Sequence, residues 1–517
     1  MNYAFLDIAH QFQLETIDRF LDLTNSNVVY LNTATENNFH GDYMISSKIL
    51  SKIKDENKSL VHSKTSDFLF LKNLENLIET PWTISEKDLI KLKPIESMAM
   101  RLMDRSSLIP ISGFSRRRIY LLLVNHFHFL IDNKQIEGLV VYDTPHSFHS
   151  HIFYELCKLK EVKIIKMEYH FLTDYSIMLN QDDWPLIPED YLKENTLEEI
   201  GERIPQELKN SLFENSTYLK SYKKSESKKI IKQSIFSTLK LNIRYLDKCL
   251  KNLIMGVFPF LFKKEILHFA SLNGLTNRLK YRLILNIQLY KLIKLNVFYN
   301  KIANRSIHLN DDYVFVGLHM QPEKTSQPMG GEYDNQLMMI KILSDSVPNG
   351  WKVFVKEHPN QFNVKKVPNR HYRDKLFYQC LGKLKNVVIV PLEIDSVDLI
   401  RNSKMVATLT GTLGWEAITK NIPALVFGNT YYIACRAAKK ITSVESSKKA
   451  IQDLLLLKQE EDFKKEIFRY ISYYNENNYI VNSANWQSLF KLNSLPYLKQ
   501  VDNIVDKLVY FHNKNKI

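Results

Sequence analysis

The chain has 517 residues, is 45% hydrophobic and 24% charged, and carries a formal net charge of +14. That length suits two or three domains, and that composition excludes a disordered or fibrous chain. Cys157, Cys249, Cys380 and Cys435 are scattered without a CxxC or Cys/His cluster, so neither a disulfide framework nor a zinc site is expected.

Met1 to Asp7 shows no basic stretch ahead of an apolar one, so no signal peptide is expected. Asn27–Leu31 reads as a strand, residues 40–130 as largely helical, and Gly138–Tyr142 as the next strand. A polar loop, Asp143–Ser147, follows; then come a helix at Phe148–Leu159 and a strand at Val162–Met167. Residues 1–185 are therefore expected to form a Rossmann-like domain. Residues 186–305 read as a mostly helical, basic connector. Within it Lys223, Lys224, Lys228, Lys229, Lys232 and Lys240 precede the apolar run Leu253–Phe262, and Lys263 and Lys264 follow. That run is too short to span a bilayer. Lysines beside an apolar segment suit peripheral contact with an anionic membrane; a solvated helical face over a buried core segment is the alternative. No RNA- or DNA-binding motif accompanies the charge, so no nucleic-acid partner is expected.

From 306 to 470 strands alternate with helices: strands Tyr313–Leu318, Trp351–Val355, Asn386–Val390, Met405–Leu409 and Pro423–Phe427, and helices Asn335–Ser346, Ile394–Ser403 and Leu413–Lys420. Alternation of this kind makes a parallel, doubly wound sheet, whose ligands bind at the carboxyl ends of the strands. Three polar clusters follow strand ends: His319–Glu323, Lys356–Pro359 and Thr408–Thr412. All three should share one rim. In the third, small residues let a ligand approach the backbone, Thr412 is a fair N-cap, and the helix start favours an anion. Glu416, one turn on, is placed to accept from ribose hydroxyls; an ordinary βα loop with a solvated Glu is the bland alternative. The segment 471–517 reads as a helical tail packing back on the domains. The expected fold class is α/β: two Rossmann-like domains facing a cleft, joined by the connector.

Lys356-Glu-His-Pro359, Gln321-Pro-Glu323 with Gly330-Gly331, and Thr410-Gly-Thr-Leu-Gly-Trp-Glu416 resemble bacterial capsule-polysaccharide biosynthesis proteins, the glycosyltransferase-like family related to the capsular Kdo transferases. The His-Pro pair also resembles that of bacterial sialyltransferases. The resemblance covers roughly residues 313–430 well and 138–170 weakly. It implies a GT-B enzyme at the cytoplasmic side of the inner membrane. Such an enzyme transfers sugar from a nucleotide donor, CMP-Kdo-like among the candidates, to a glycan or glycolipid. By the same resemblance His358 meets the leaving phosphate, Pro359 shapes the base pocket, Thr410, Gly411 and Thr412 hold phosphate, and Glu416 holds ribose. An acidic-acidic-Gly motif of the sialyltransferase kind is absent, which speaks against sialic acid and leaves the acceptor base unassigned.

The chemistry narrows that base. Glycosyl transfer needs a group to take the acceptor proton and donors at the leaving phosphate. Asp143, on the acceptor-side loop with His146, is the first choice; its alternative is turn formation. Glu323 and Glu332 are donor-side acids placed to orient sugar hydroxyls. Gln321, Gly330, Gly331 and Lys356 complete the donor contacts, with His319 and Gln321 read as holding their loop rather than as catalysts. No metal or other cofactor is called for. A sugar-nucleotide epimerase or hydrolase on the same fold, and a non-catalytic assembly protein, stay open beside the transferase.

Overall fold

The computed structural model describes residues 1–33, 47–64, 84–106, 111–172, 175–179, 184–194, 199, 201–202, 204–206, 250, 254, 275–362, 372–460, 462–482 and 495–515. The strands in chain order are β1 (Asn2–Ile8), β2 (Asn27–Thr33), β3 (Val61–Lys64), β4 (Gly138–Val141), β5 (Lys163–Leu172), β6 (Tyr175–Leu179), β7 (Tyr313–Gly317), β8 (Lys352–Lys356), β9 (Val387–Ile389), β10 (Met405–Thr408), β11 (Ala424–Val426), β12 (Ala438–Lys440) and β13 (Ile480–Val481). They build two sheets, ordered β13-β6-β5-β4-β1-β2-β3 and β12-β11-β10-β7-β8-β9. The second sheet is parallel throughout. In the first, β1 to β5 are parallel, and β6 and β13 are antiparallel at one edge.

Both sheets have Rossmann-type order. The first strand of each domain lies between its second and fourth: β1 between β2 and β4, and β7 between β8 and β10. Helices on either side of that strand leave it in opposite directions, so a crevice opens at its carboxyl end. Strands buried on both faces need continuous apolar runs. Every residue of β4 and of β10 is buried. This is the two-domain, GT-B-like α/β fold expected from the sequence.

Helix Phe148–Leu159 has the bounds expected from apolar periodicity, and two helices of the second domain differ from theirs. The Ile394–Ser403 expectation contracts to Ser396–Asn402, because the Asp395 carboxylate accepts from Val397 N at 2.8 Å and sets the start. The helix expected over Leu413–Lys420 runs Thr412–Ile418, with Gly411 rather than Thr412 as its N-cap.

Helix Leu275–Ile302, the last part of the expected connector, docks on the second sheet. Its buried Tyr299 donates to Val390 O at 2.6 Å and accepts from Glu357 N at 3.1 Å. Lys223–Lys240, Lys263, Lys264 and nearly all of the 253–262 run lie outside the described residues. Among the described residues no helix is long and apolar enough to cross a membrane.

The C-terminal segment returns to the first domain. β13 pairs with β6, and helix Leu495–Asn515 packs on helix Gln11–Thr24. Val501, Ile504, Leu508 and Phe511 form its buried stripe. Each such side chain contributes roughly 1.5–3 kcal/mol by leaving water. Tyr3 Oη and His512 Nδ1, 2.8 Å apart, join the helix to β1.

Candidate functional site

A cavity of about 550 Å³ opens at the switch point of the second sheet. That is the size of a small-molecule site. Its walls are the segments that leave β7, β8 and β10, closed by Leu392–Val397. His319 ties the β7 and β10 ends together. Its Nε2 lies 2.9 Å from Thr408 Oγ1 and accepts from Thr410 N at 3.4 Å, while Nδ1 lies 3.2 Å from Thr325 Oγ1. With Nε2 accepting, the ring proton sits on Nδ1. Burial, helped by His358 and Arg373, pulls the His319 pKa down to about 3, so the ring is a neutral strut. Thr408 Oγ1 in turn accepts from Gly411 N at 3.2 Å. A Cβ at Gly411 would lie 3.0 Å from that oxygen and 3.1 Å from His319 Nε2, so a side chain there would push these neighbours back by a few tenths of an ångström.

The Lys-Glu-His-Pro segment divides its labour. Lys356 Nζ donates to Ile394 O at 2.6 Å and to Ser396 Oγ at 2.9 Å, fixing the opposite wall. Glu357 is wholly buried and accepts from Arg373 Nε at 2.8 Å, Tyr378 Oη at 2.7 Å and His358 N at 2.8 Å. His358 Nδ1 accepts from Asn360 N at 3.1 Å. The neutral ring therefore keeps its proton on Nε2, as a hydrogen-bond donor.

The lining is rich in carboxylates: among the described residues, Glu323, Glu357, Glu393, Asp395 and Glu416 stand against the ammonium of Lys356. Arg373 neutralises Glu357, and Asp395 is engaged as a helix cap. Lys356 brings a positive charge and His358 an N–H donor to this lining. Glu323 and Glu416 suit hydroxyl groups, since a carboxylate is an acceptor only.

Of the residues singled out in the sequence, the cavity gathers Glu323, Lys356, His358, Pro359, Gly411, Thr412 and Glu416. Thr412 Oγ1 donates to Glu416 Oε1 at 3.3 Å. Others lie apart. Gln321 is buried beneath the loop, where its Nε2 donates to Asp334 O at 2.5 Å and its Oε1 accepts from Arg373. The Thr410 hydroxyl donates to Thr325 O at 2.7 Å, so it is turned to the protein rather than to the cavity. Gly330 packs against Ser326 O, 2.5 Å from where a Cβ would stand, and Gly331 has φ 55°. Glu332 is exposed and pairs with Arg101 Nη2 at 2.9 Å.

Arg101 belongs to helix Glu86–Ser106 of the first domain, and it also reaches Asp334 Oδ2 at 3.2 Å. Arg105, one turn on, donates to Gln327 O at 2.8 Å. Asp143, after β4, meets Lys324 of the second domain in an ion pair. Glu168 lies 3.7 Å from the same ammonium. Burial opposes the charge on Lys324, but Asp143 and Glu168 outweigh it and raise its pKa above the ordinary value.

Two residues of the site carry no signal of their role in the sequence, Glu357 and Arg373. Arg373 meets partners far away in the chain, so no local spacing announces it. The Leu392–Val397 wall is visible there only as the gap between a strand and a helix. β1 is a strand beyond those expected, although Tyr-Ala-Phe-Leu at positions 3–6 is a short strand-like run.

Fold and site together define a two-domain Rossmann-like protein with a small-molecule cavity at its second switch point. Residues 286–441, which contain every residue lining that cavity, match the family described as capsule polysaccharide biosynthesis protein. No curated protein matches the chain. Among solved structures, the UDP-GlcNAc 2-epimerase from Methanocaldococcus jannaschii is 12% identical, covering 88% of this chain and 93% of its own, with a TM-score of 0.22. The Thermosulfurimonas dismutans KpsC, beta Kdo 2,7 transferase, is 13% identical over 78% of this chain and 97% of its own, with a TM-score of 0.27. The trehalose-6-phosphate phosphatase N-terminal domain of Candida albicans is 9% identical over 99% and 97%, with a TM-score of 0.28.

Proposed function

We propose that this chain is a glycosyltransferase of capsule or surface polysaccharide biosynthesis that takes sugar from a nucleotide-activated donor. The observation that carries the reading is the switch-point cavity in the family-matching segment, whose lining includes His358, Lys356, Glu416 and Glu323. His358 Nε2–H stabilises charge as it develops on the leaving phosphate, and Lys356 adds a positive field beside it. Glu416 accepts from ribose hydroxyls, and Glu323 orients the donor sugar. Glycosyl transfer needs such donors where charge appears and acceptors where hydroxyls must be held. The family resemblance makes a CMP-activated acidic sugar of the Kdo type the first donor to try. The acceptor is a glycan or glycolipid, and the basic 220–282 region supports peripheral contact with an anionic membrane.

The test is a panel of CMP-, UDP- and GDP-sugars measured by thermal shift, followed by nucleotide release with and without acceptor glycan. One nucleotide class should stabilise the protein. Release should then depend on acceptor and fall about 10²–10³-fold in His358→Ala, as for loss of one preorganised donor. Absence of stabilisation by any nucleotide sugar refutes the reading. Turnover indifferent to acceptor moves the assignment to an epimerase or hydrolase.

A further inference from the structure

The first sheet has a switch point of its own, between β1 and β4. Asp7 stands near the end of β1, and Asp143 lies two residues after β4. The register of β1 against β2 breaks between Phe5 and Ile8, and Asp7 takes φ 54°. A break of this kind re-aims a side chain, and Asp is among the few residues that tolerate such a φ. Asp7 is partly buried, and its Oδ1 accepts from Ser150 Oγ at 2.6 Å. Asp143 is otherwise occupied: its Oδ1 takes both Lys324 and Thr144 N, the latter at 2.8 Å. A second, independent observation lies across the domain junction. Lys324 sits between Glu323 and Thr325, and both of those line the cavity of the second domain. One lysine side chain therefore spans from the donor-side loop to the acceptor-side switch point.

We propose that Asp7, rather than the ion-paired Asp143, is the catalytic base that takes the acceptor's proton, with the Asp143–Lys324 pair positioning the two switch points. This rests on the glycosyltransferase reading above. In the step, the acceptor oxygen forms its bond to the donor's anomeric carbon and its proton moves to the Asp7 carboxylate. The bond from that carbon to the nucleotide phosphate breaks, and its electron pair stays on the phosphate oxygen beside His358. Burial pushes the Asp7 pKa up, the Ser150 hydrogen bond opposes, and Asp143 adds to the rise, leaving it at about 6. A base titrating near the working pH is the efficient case. The other titratable groups on the surrounding elements do not mimic it. Burial holds His10 at about 4 and His149 at about 3, so both stay neutral between pH 5 and 8, and the nearby charges of Arg105 and Lys324 disfavour the charged form of the exposed His146. Glu168 is paired with Lys166 at 3.3 Å and faces Lys324.

The experiment is Asp7→Asn in the full chain, assayed for acceptor-dependent transfer from pH 5 to 8.5 with the donor found by thermal shift. Asn keeps the shape and tolerates the same φ. The expected result is a fall in kcat/KM of about 10²–10⁴-fold and loss of the acid limb near pH 6, with donor-induced stabilisation unchanged. Transfer within about threefold of wild type, or an acid limb that persists in the variant, overturns the assignment of Asp7. A wild-type protein that binds no nucleotide sugar fails earlier, and takes the parent reading with it. Ser150→Ala supplies a second readout should D7N fold poorly. Removing the hydrogen bond that favours the carboxylate should move the acid limb to higher pH, and an unmoved limb overturns the proposal.

Discussion

Glu357→Gln should be among the most damaging conservative substitutions in this chain. The carboxylate is 0% exposed at its side chain and its Arg373 partner 1%, with Nε and Oε2 2.8 Å apart. Gln is nearly isosteric, so the change removes charge and leaves volume. It strands the Arg373 guanidinium in a dry site, where the remaining contacts are carbonyls, the Gln321 amide and the Phe377 ring 4.4 Å away. Removing one partner of a buried pair costs about 3–5 kcal/mol, because the other charge is left uncompensated. For a domain of this size each kcal/mol moves the melting temperature by roughly 2–4 °C, so a fall of roughly 6–20 °C is expected. Arg373→Met should do comparable harm by stranding the carboxylate. The double variant should be far less destabilised than the sum, since both charges are then gone. Thermal unfolding followed by fluorescence of Trp351 and Trp415, which lie in the same domain, reads it directly. A melting temperature within about 2 °C of wild type for E357Q, or strict additivity in the double variant, would refute the reasoning.

Asp7→Asn should stabilise the fold while it slows transfer. The folded state raises the Asp7 pKa from 3.8 to about 6, so the folded protein binds the proton more tightly than the unfolded chain. Wild-type stability from this group therefore falls as pH rises from about 4 to 6 and stays low above. At 1.36 kcal/mol per unit, D7N should gain up to about 3 kcal/mol at pH 8 and nothing below pH 4. Denaturant titrations at the two pH values check this, and an equal gain at both would show that the effect is not electrostatic. Gly414→Ala sets two effects against each other. A helical Ala is about 1 kcal/mol better than Gly. Its Cβ, however, would collide with Tyr432 Oη, which donates to Gly411 O at 2.5 Å. Losing that hydrogen bond costs about 1 kcal/mol and loosens the Thr408–Thr412 loop, so donor affinity should drop about 2–10-fold in a calorimetric titration. Unchanged affinity with a higher melting temperature would mean that Tyr432 yields without consequence.

Local chemistry makes much of this protein legible in the chain itself. β10 and β11 announce themselves as short apolar runs between breakers, because buried parallel strands need apolar side chains on both faces. Lys356–Pro359 and Thr408–Thr412 follow strand ends in the chain, so a shared rim follows from parallel topology alone. Other roles depend on partners distant in sequence. Nothing around Thr410 says that its hydroxyl turns to Thr325 O rather than to a ligand. Nothing around Glu332 says that Arg101 of the other domain takes it. Asp143 reads as an open acid on a loop until Lys324 arrives from the second domain.

Side-chain type and spacing are enough for the alternation of strands and helices, for the parallel second sheet and for the identity of the polar segments at its rim. Which of those polar groups face a cavity, and which are consumed in holding it, is settled by the folded arrangement: Glu357 against Arg373, His319 against Thr408, Asp143 against Lys324. The physical reason is that hydrogen bonding and charge neutralisation are pairwise and act through space. A buried donor or acceptor must find its partner wherever the fold brings one, and composition carries no record of that meeting.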